Sequence, residues 1–271
     1  MHTTTPDRNG KPFQRYPEFT YFYNPRYRFL YAPVPKSACS SLKVIMYRLQ
    51  LLDQPDLPAF LPRDYDGRSF HVFMDSNYTL SRQSAENADA ILQSPDVFRF
   101  TFVRHPLDRI ASAYLNKFVN ERYNSEQWEH TLPATSAVLG RQSRPVVDSI
   151  TFRQFVTYIA GTPDTGLDKH WRSQDSFLAA GIDFHIGHVE NFAEDLGHFA
   201  RQLCLPVDTT HANRTARGHT RLPDRPYWEM SPDQLRRLPT LPANRQMYNP
   251  ELEQSVRDRY LTDFERFSYH D

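Results

Sequence analysis

Between the aromatic run Tyr27-Arg28-Phe29-Leu30-Tyr31 and an apolar stretch with helical spacing lies the loop Pro33-Val34-Pro35-Lys36-Ser37-Ala38-Cys39-Ser40-Ser41. Small residues leading into a helix N-terminus point several backbone N–H groups at one spot, where an anion can sit. Lys36 brings a positive charge to the loop, and the hydroxyls of Ser40 and Ser41 can donate hydrogen bonds or cap the helix. The Walker nucleotide loop is only partly matched. That pattern, G-x-x-x-x-G-K-[ST], needs two glycines and a lysine at its end. This loop has no glycine and carries its lysine at the start. An ordinary ATPase is not expected. The plain alternative is a capped helix after a strand, with Lys36 solvated.

A second stretch changes the balance. Phe100-Thr101-Phe102-Val103-Arg104-His105-Pro106-Leu107-Asp108-Arg109-Ile110-Ala111-Ser112-Ala113-Tyr114 puts Arg104 at the end of a strand and Ser112 about two turns into the next helix. Arg offers planar, bidentate recognition of a phosphate, and a serine hydroxyl can join it. The alternatives are a surface ion pair for Arg104 and a small packing residue for Ser112. Two anion sites at the C-terminal ends of strands suit a ligand with two phosphate-type groups.

Together these stretches resemble the sulfotransferases, and within them the carbohydrate (chondroitin- and heparan-type, Golgi-like) branch. Its V-P-K-x-A-C/G-x-x-x-K loop is similar to Val34-Pro35-Lys36-Ser37-Ala38-Cys39-Ser40-Ser41-Leu42-Lys43. Its F-V-R-x-P-x-x-R-x-x-S-A-Y segment is similar to Phe102 through Tyr114. A D/N-x-H-W-x-P-Q block is echoed by Asp168-Lys169-His170-Trp171-Arg172-Ser173-Gln174, with Ser173 in place of proline, and an I-G-x-x-E element by Ile186 through Glu190. The resemblance covers roughly residues 27 to 200.

The resemblance implies in-line transfer of a sulfuryl group from 3′-phosphoadenosine 5′-phosphosulfate (PAPS) to an acceptor hydroxyl on a carbohydrate or glycosylated small molecule. Lys36 would serve the leaving oxygen, with Ser37, Ala38, Cys39, Ser40 and Ser41 around the 5′-phosphate, and Arg104 and Ser112 would hold the 3′-phosphate. Arg214 and Arg217, in the basic segment His211–Gly218, would close over the nucleotide; the plain reading is a solvated loop. An acceptor hydroxyl needs a base, and His71, His170 and Glu190 are the candidates, histidine being best matched to neutral pH. His71 is expected on or after a second strand, with a core or edge histidine as the alternative; His170, beside Trp171, is equally readable as a pocket-ordering residue. Arg109 and Lys117 read as surface or structural. Cys39 reads as a small packing residue, since direct transfer needs no covalent intermediate, and Cys204 as a core residue. No Asp/Glu cluster demands a metal, so none is expected. Two other readings stay open: a P-loop-like ATP-dependent phosphotransferase, and a non-catalytic binder of nucleotides or sulfated glycans.

The elements that would position these groups can be read from the periodicity. Strands are expected at 27–31, 70–74, 97–103 and 182–189, and helices at 42–52, 81–92, 107–119, 151–160, 174–180, 191–203 and 251–260. Recurrent strand–loop–helix units favour an α/β fold, a P-loop-like three-layer architecture around a mostly parallel sheet flanked by helices. Residues 1–26 read as an irregular arm and 27–271 as one domain. Residues 120–148 read as a polar excursion and 208–242 as a basic, Pro-rich segment. Either could meet the acceptor, Trp128 or Trp228 offering a stacking surface for a sugar if not simply buried.

Composition closes off several classes. The 271 residues are 39% hydrophobic, enough for a sizeable core. Lys plus Arg and Asp plus Glu both number 32, so a protein working by non-specific nucleic-acid binding is not expected. Two cysteines cannot build a disulfide framework or, alone, a structural zinc site. No apolar run approaches the ~20 residues of a transmembrane helix. The absent anchor, and the absent cysteine pair of secreted relatives, predict a cytoplasmic, microbial protein.

Overall fold

The computed structural model describes residues 13–60, 65, 67–206 and 222–269. In chain order its first elements are β1 (Phe22–Asn24), β2 (Phe29–Ala32), α1 (Cys39–Asp53), α2 (Arg68–Tyr78), α3 (Ala85–Gln93), β3 (Phe98–Val103), α4 (Pro106–Tyr114), α5 (Trp128–Leu139) and α6 (Phe152–Ala160). They are followed by β4 (His185–His188), α7 (Phe192–Gln202), α8 (Pro232–Arg236), α9 (Pro250–Arg259) and α10 (Leu261–Arg266). By internal contact the chain divides into two compact units, one of Met1–Val103 with Ser176–Thr215 and one of Arg104–Asp175 with Ala216–Asp271.

The first unit carries the sheet, in the order β1-β2-β3-β4. β1 is antiparallel to β2, whereas β2–β3 and β3–β4 are parallel, with Ala32 opposite Thr101 and Val103 opposite His188. All four residues of β2 are buried, as expected of a strand covered on both faces. The α/β reading with a mostly parallel, helix-flanked sheet therefore holds. Leu42, Ile45, Met46 and Leu49 of α1 repeat at three and four residues and pack with Phe70 and Met74 of α2, Phe100 and Phe102 of β3, and Phe192, Leu196 and Phe199 of α7. Ring pairs such as Tyr31–Phe100 at 5.3 Å and Phe102–Phe192 at 4.8 Å make this core aromatic.

Gly187 shows how tight that packing is. A Cβ there would sit 2.7 Å from Phe102 Cε1, and the Phe102 ring is itself fully buried between Phe192 and Phe199. Gly187→Ala should destabilise the chain by about 1–3 kcal/mol in urea denaturation. A change below about 0.5 kcal/mol, the range usual for surface substitutions, would mean the ring has room to yield.

The second unit is helical, built on α4, α6 and α9. Its core joins Tyr114, Phe118, Phe152, Phe155 and Trp171 with Tyr248, Leu252 and Val256. Thr151 and Gln154 form a capping box that starts α6. α4 passes into a π-helical turn, Leu115–Asn120, that places Lys117 and Phe118 inward.

Several sequence expectations change. Residues 70–74 are not a strand: Phe70 and Met74, four apart, are buried while Val72 between them is half exposed, the helical period of α2. Five apolar and aromatic residues were too few to separate the two periods. Phe22–Asn24, within the stretch expected to be irregular, forms β1 against β2. α3 starts later than residue 81 and is capped by Ser84, whose Oγ accepts from the Asn87 N–H at 3.3 Å. Residues 174–180 make only a single 3-10 turn, Asp175–Phe177. The polar excursion contains α5.

Candidate active site

The loop after β2 is held in an uncommon shape. Lys36 and Ala38 have φ of 68° and 63°, the left-handed region that costs a non-glycine residue about 1–2 kcal/mol. Such strain persists where surrounding contacts fix it and is concentrated at functional sites. Here the Ser37 N–H donates to Val34 O at 3.1 Å, and Ser37 is fully buried. The Cys39 thiol donates to Val34 O at 2.8 Å and accepts the Tyr31 hydroxyl at 3.4 Å. The loop thus turns sharply into α1, and Ala38, at the N-cap, offers no side-chain cap. A helix start of this kind, with backbone N–H groups at its first turn, suits a phosphate. Lys36, Ser40 and Ser41 stand in or beside this turn, each partly exposed.

His71 lies on α2, not on or after a strand, with Nε2 3.4 Å from Ser40 Oγ. Lys43, the last position of the loop motif, is buried and paired with Asp75 Oδ1 at 2.6 Å, which fastens α1 to α2. Cys39 is bonded within the loop, consistent with a packing role.

In the second unit, Arg104 is clamped by a side-chain amide. Gln174 Oε1 accepts the Arg104 N–H at 2.9 Å, and Gln174 Nε2 donates to Arg104 O at 2.8 Å. Gln174 is completely buried, and its own N–H donates to Asp263 Oδ2 at 2.8 Å. Ser112 sits late in α4, partly exposed. At 1.5 Å per residue it is about 9 Å along the axis from Pro106, so the Arg104 side chain must lie back along α4 to share an anion with it. Arg109 is buried and donates to Arg172 O at 2.7 Å; Lys117 is buried and bound to Glu121 Oε2 at 2.9 Å. Neither is on the surface. Gln174 closes the block that runs from Asp168, but its partners Arg104 and Asp263 lie 70 and 89 residues away, so spacing alone does not show what it holds.

His170 is nearly enclosed. Its Nδ1 lies 2.6 Å from Asp168 Oδ1, and burial holds its pKa down to about 3. Asp168 also meets His130 Nδ1 at 2.8 Å, and the two imidazoles hold its carboxyl well below the usual range against the opposing effect of burial. Glu190 is exposed on a 3-10 turn. Trp128 and Trp228 are each partly buried, Trp128 donating its Nε1–H to Arg122 O at 3.1 Å. Arg214 and Arg217 lie outside the described residues.

The profile described as "Sulfotransferase family" matches residues 19–270. The chain belongs to the sulfotransferase family. Carbohydrate sulfotransferase 14 of Homo sapiens is 30% identical over 251 residues, 90% of this chain and 58% of that protein. Carbohydrate sulfotransferase 8 of Mus musculus is 26% identical over 196 residues, covering 70% and 44%. Carbohydrate sulfotransferase 11 of Rattus norvegicus is 28% identical over 189 residues, covering 65% and 50%. The chain spans about half the length of these curated relatives, from 44 to 58%. No solved structure matches.

The sulfotransferase relatives are animal proteins, which overturns the expectation of a cytoplasmic, microbial protein. Among the described residues no helix is long and apolar enough to cross a membrane. The Ser173 departure has a local reason. Its N–H donates to Asp164 Oδ1 at 3.1 Å and its hydroxyl bonds Oδ2 of the same carboxylate, and a proline could do neither. Cys204, expected in the core, is exposed, because α7 ends at Gln202 and Cys204 takes a left-handed φ of 49° just beyond it.

Proposed function

We propose that the chain transfers a sulfuryl group from PAPS to a hydroxyl of a carbohydrate acceptor. What carries the reading is the strained, lysine-bearing turn into α1, in a chain that belongs to the sulfotransferase family. The names of its carbohydrate sulfotransferase relatives support the acceptor class. In the reaction the acceptor oxygen attacks sulfur in line, the S–O bond to the 5′-phosphate breaks, and adenosine 3′,5′-bisphosphate leaves. Catalysis then rests on charge stabilisation at the bridging and equatorial oxygens.

Each residue has one task. Lys36 neutralises the leaving oxygen, and the backbone N–H groups around Ala38–Ser41 receive the 5′-phosphate. Arg104 and Ser112 bind the 3′-phosphate and so discriminate against ATP. His71 takes the acceptor proton: it sits beside Ser40 at the start of α1, whereas His170 is too weakly basic at a pKa of about 3.

The test is calorimetric binding of adenosine 3′,5′-bisphosphate beside ATP, ADP and AMP, without magnesium. Selective tight binding is expected, and Arg104→Ala should weaken it about 10–100-fold, the loss of charged hydrogen bonds to one phosphate. Equal or absent binding would favour a phosphotransferase or a non-catalytic binder. Full affinity in Arg104→Ala would remove Arg104 from the site.

A further inference from the structure

Outside the donor-binding residues, one cluster of the second unit has the makings of a metal site. His130, near the start of α5, converges on Asp168 and His170 of the segment that leads to Trp171. One donor atom from each of the three lies within 4.8 Å of the others. The imidazoles meet edge to face with centroids 4.5 Å apart, and the side chains of His130, Asp168 and His170 keep only 12, 20 and 13% of their surface exposed.

We propose that His130, Asp168 and His170 bind a divalent transition-metal ion. Two imidazole nitrogens and a carboxylate oxygen are the donor set of zinc, cobalt or ferrous iron rather than of calcium or magnesium, which prefer all-oxygen cages. Both imidazoles present Nδ1 to the carboxylate. An imidazole that ligates through Nδ1 carries its proton on Nε2, and metal-bound histidines usually aim that proton at an acceptor. For His130 the Glu129 carboxylate stands near, its Oε1 3.6 Å from Nε2, just outside hydrogen-bond distance. Asp168 is already oriented, since its Oδ1 accepts the His170 backbone N–H at 2.9 Å.

The three donors already converge. His130 Nδ1 lies 2.8 Å from Asp168 Oδ2 and His170 Nδ1 2.6 Å from Oδ1, so the imidazoles meet opposite oxygens of one carboxylate. Ligands of a tetrahedral ion with bonds of about 2.05 Å sit about 3.3 Å from one another, so an ion would take one of those oxygens, gather both nitrogens around it and displace the proton that each imidazole shares with the carboxylate. The neighbouring cation, Lys117, is already paired with Glu121 at 2.9 Å and Gln127 at 2.5 Å. The ion would tie α5 to the segment that seats Trp171 in the core. It stands apart from the sulfuryl-transfer reading and reverses the expectation of no metal. Residue spacing could not have announced it, because 38 residues separate His130 from Asp168.

The test takes the full chain, stripped with a chelator and dialysed against zinc and, separately, cobalt, with bound metal counted by mass spectrometry. One ion per chain is expected. His130→Gln and Asp168→Asn should each weaken binding about 100-fold, and His198→Gln, on the exposed side of α7, should not. X-ray absorption on the cobalt-loaded wild-type chain should show two imidazole ligands, a readout that needs no variant to fold. Failure to retain stoichiometric metal, retention in both variants, or an absorption spectrum without imidazole would each overturn the site.

Discussion

Lys36→Ala should transfer sulfuryl from labelled PAPS about 10²–10³-fold more slowly than the wild-type chain, the usual loss on removing one preorganised charge-stabilising donor. The reason lies in when the charge appears. The bridging oxygen gains most of its negative charge as the S–O bond breaks, so an ammonium placed there acts on the transition state more than on bound donor. Affinity for adenosine 3′,5′-bisphosphate should fall much less than kcat. The backbone contributes too: Lys36 has a left-handed φ in a loop that Ser37 and Cys39 pin to Val34. Lys36→Arg should therefore recover little activity, since a planar fork does not substitute for a compact ammonium on a fixed backbone. A kcat within threefold of wild type in Lys36→Ala would remove Lys36 from the chemistry. An equal drop in affinity and rate would make it a binding residue only.

How much of this was legible in the residues depends on range. The β2–α1 loop was, because a fully buried aromatic strand and a three-and-four helical repeat bracket it on both sides. The same holds for β3, Arg104 and α4, where Pro106 at the first helical turn marks the start. α2 was misread because its short apolar run fits either period and only burial of Phe70 and Met74 decides. β1, three residues long, has too little pattern to register and exists through its pairing with β2. The contacts that hold Arg104 and His170 in place were not legible: Gln174 stands in a recognisable block, but it, Asp263 and His130 act across long stretches of chain, and no local rule joins them to their partners.

Asp263→Ala should cost about 3–5 kcal/mol of stability, the range for breaking a buried charged pair by removing one partner. Asp263 is completely buried in α10; its Oδ2 accepts the Gln174 N–H at 2.8 Å and its Oδ1 the Asp175 N–H at 2.9 Å. Truncation strands both N–H groups and removes the counter-charge facing the buried Arg109. Gln174 would then lose its anchor, and with it the clamp on Arg104. Affinity for adenosine 3′,5′-bisphosphate should therefore fall even where the variant is still folded. Asp263→Asn keeps one acceptor and should cost less, about 1–3 kcal/mol. The two chains should also differ in pH dependence. Burial, partly opposed by Arg109, raises the Asp263 carboxyl from 3.8 to about 6. A folded-state pKa above the unfolded one contributes stability below the unfolded value and loses it as pH rises through the folded value. Between about pH 4 and 6, then, the wild-type chain should lose stability relative to Asp263→Asn as pH rises, and the gap should level off above that range. Parallel urea midpoints for the two chains across this window would place Asp263 in a solvated setting, and a loss below about 1 kcal/mol in Asp263→Ala would deny it the bracing of Gln174.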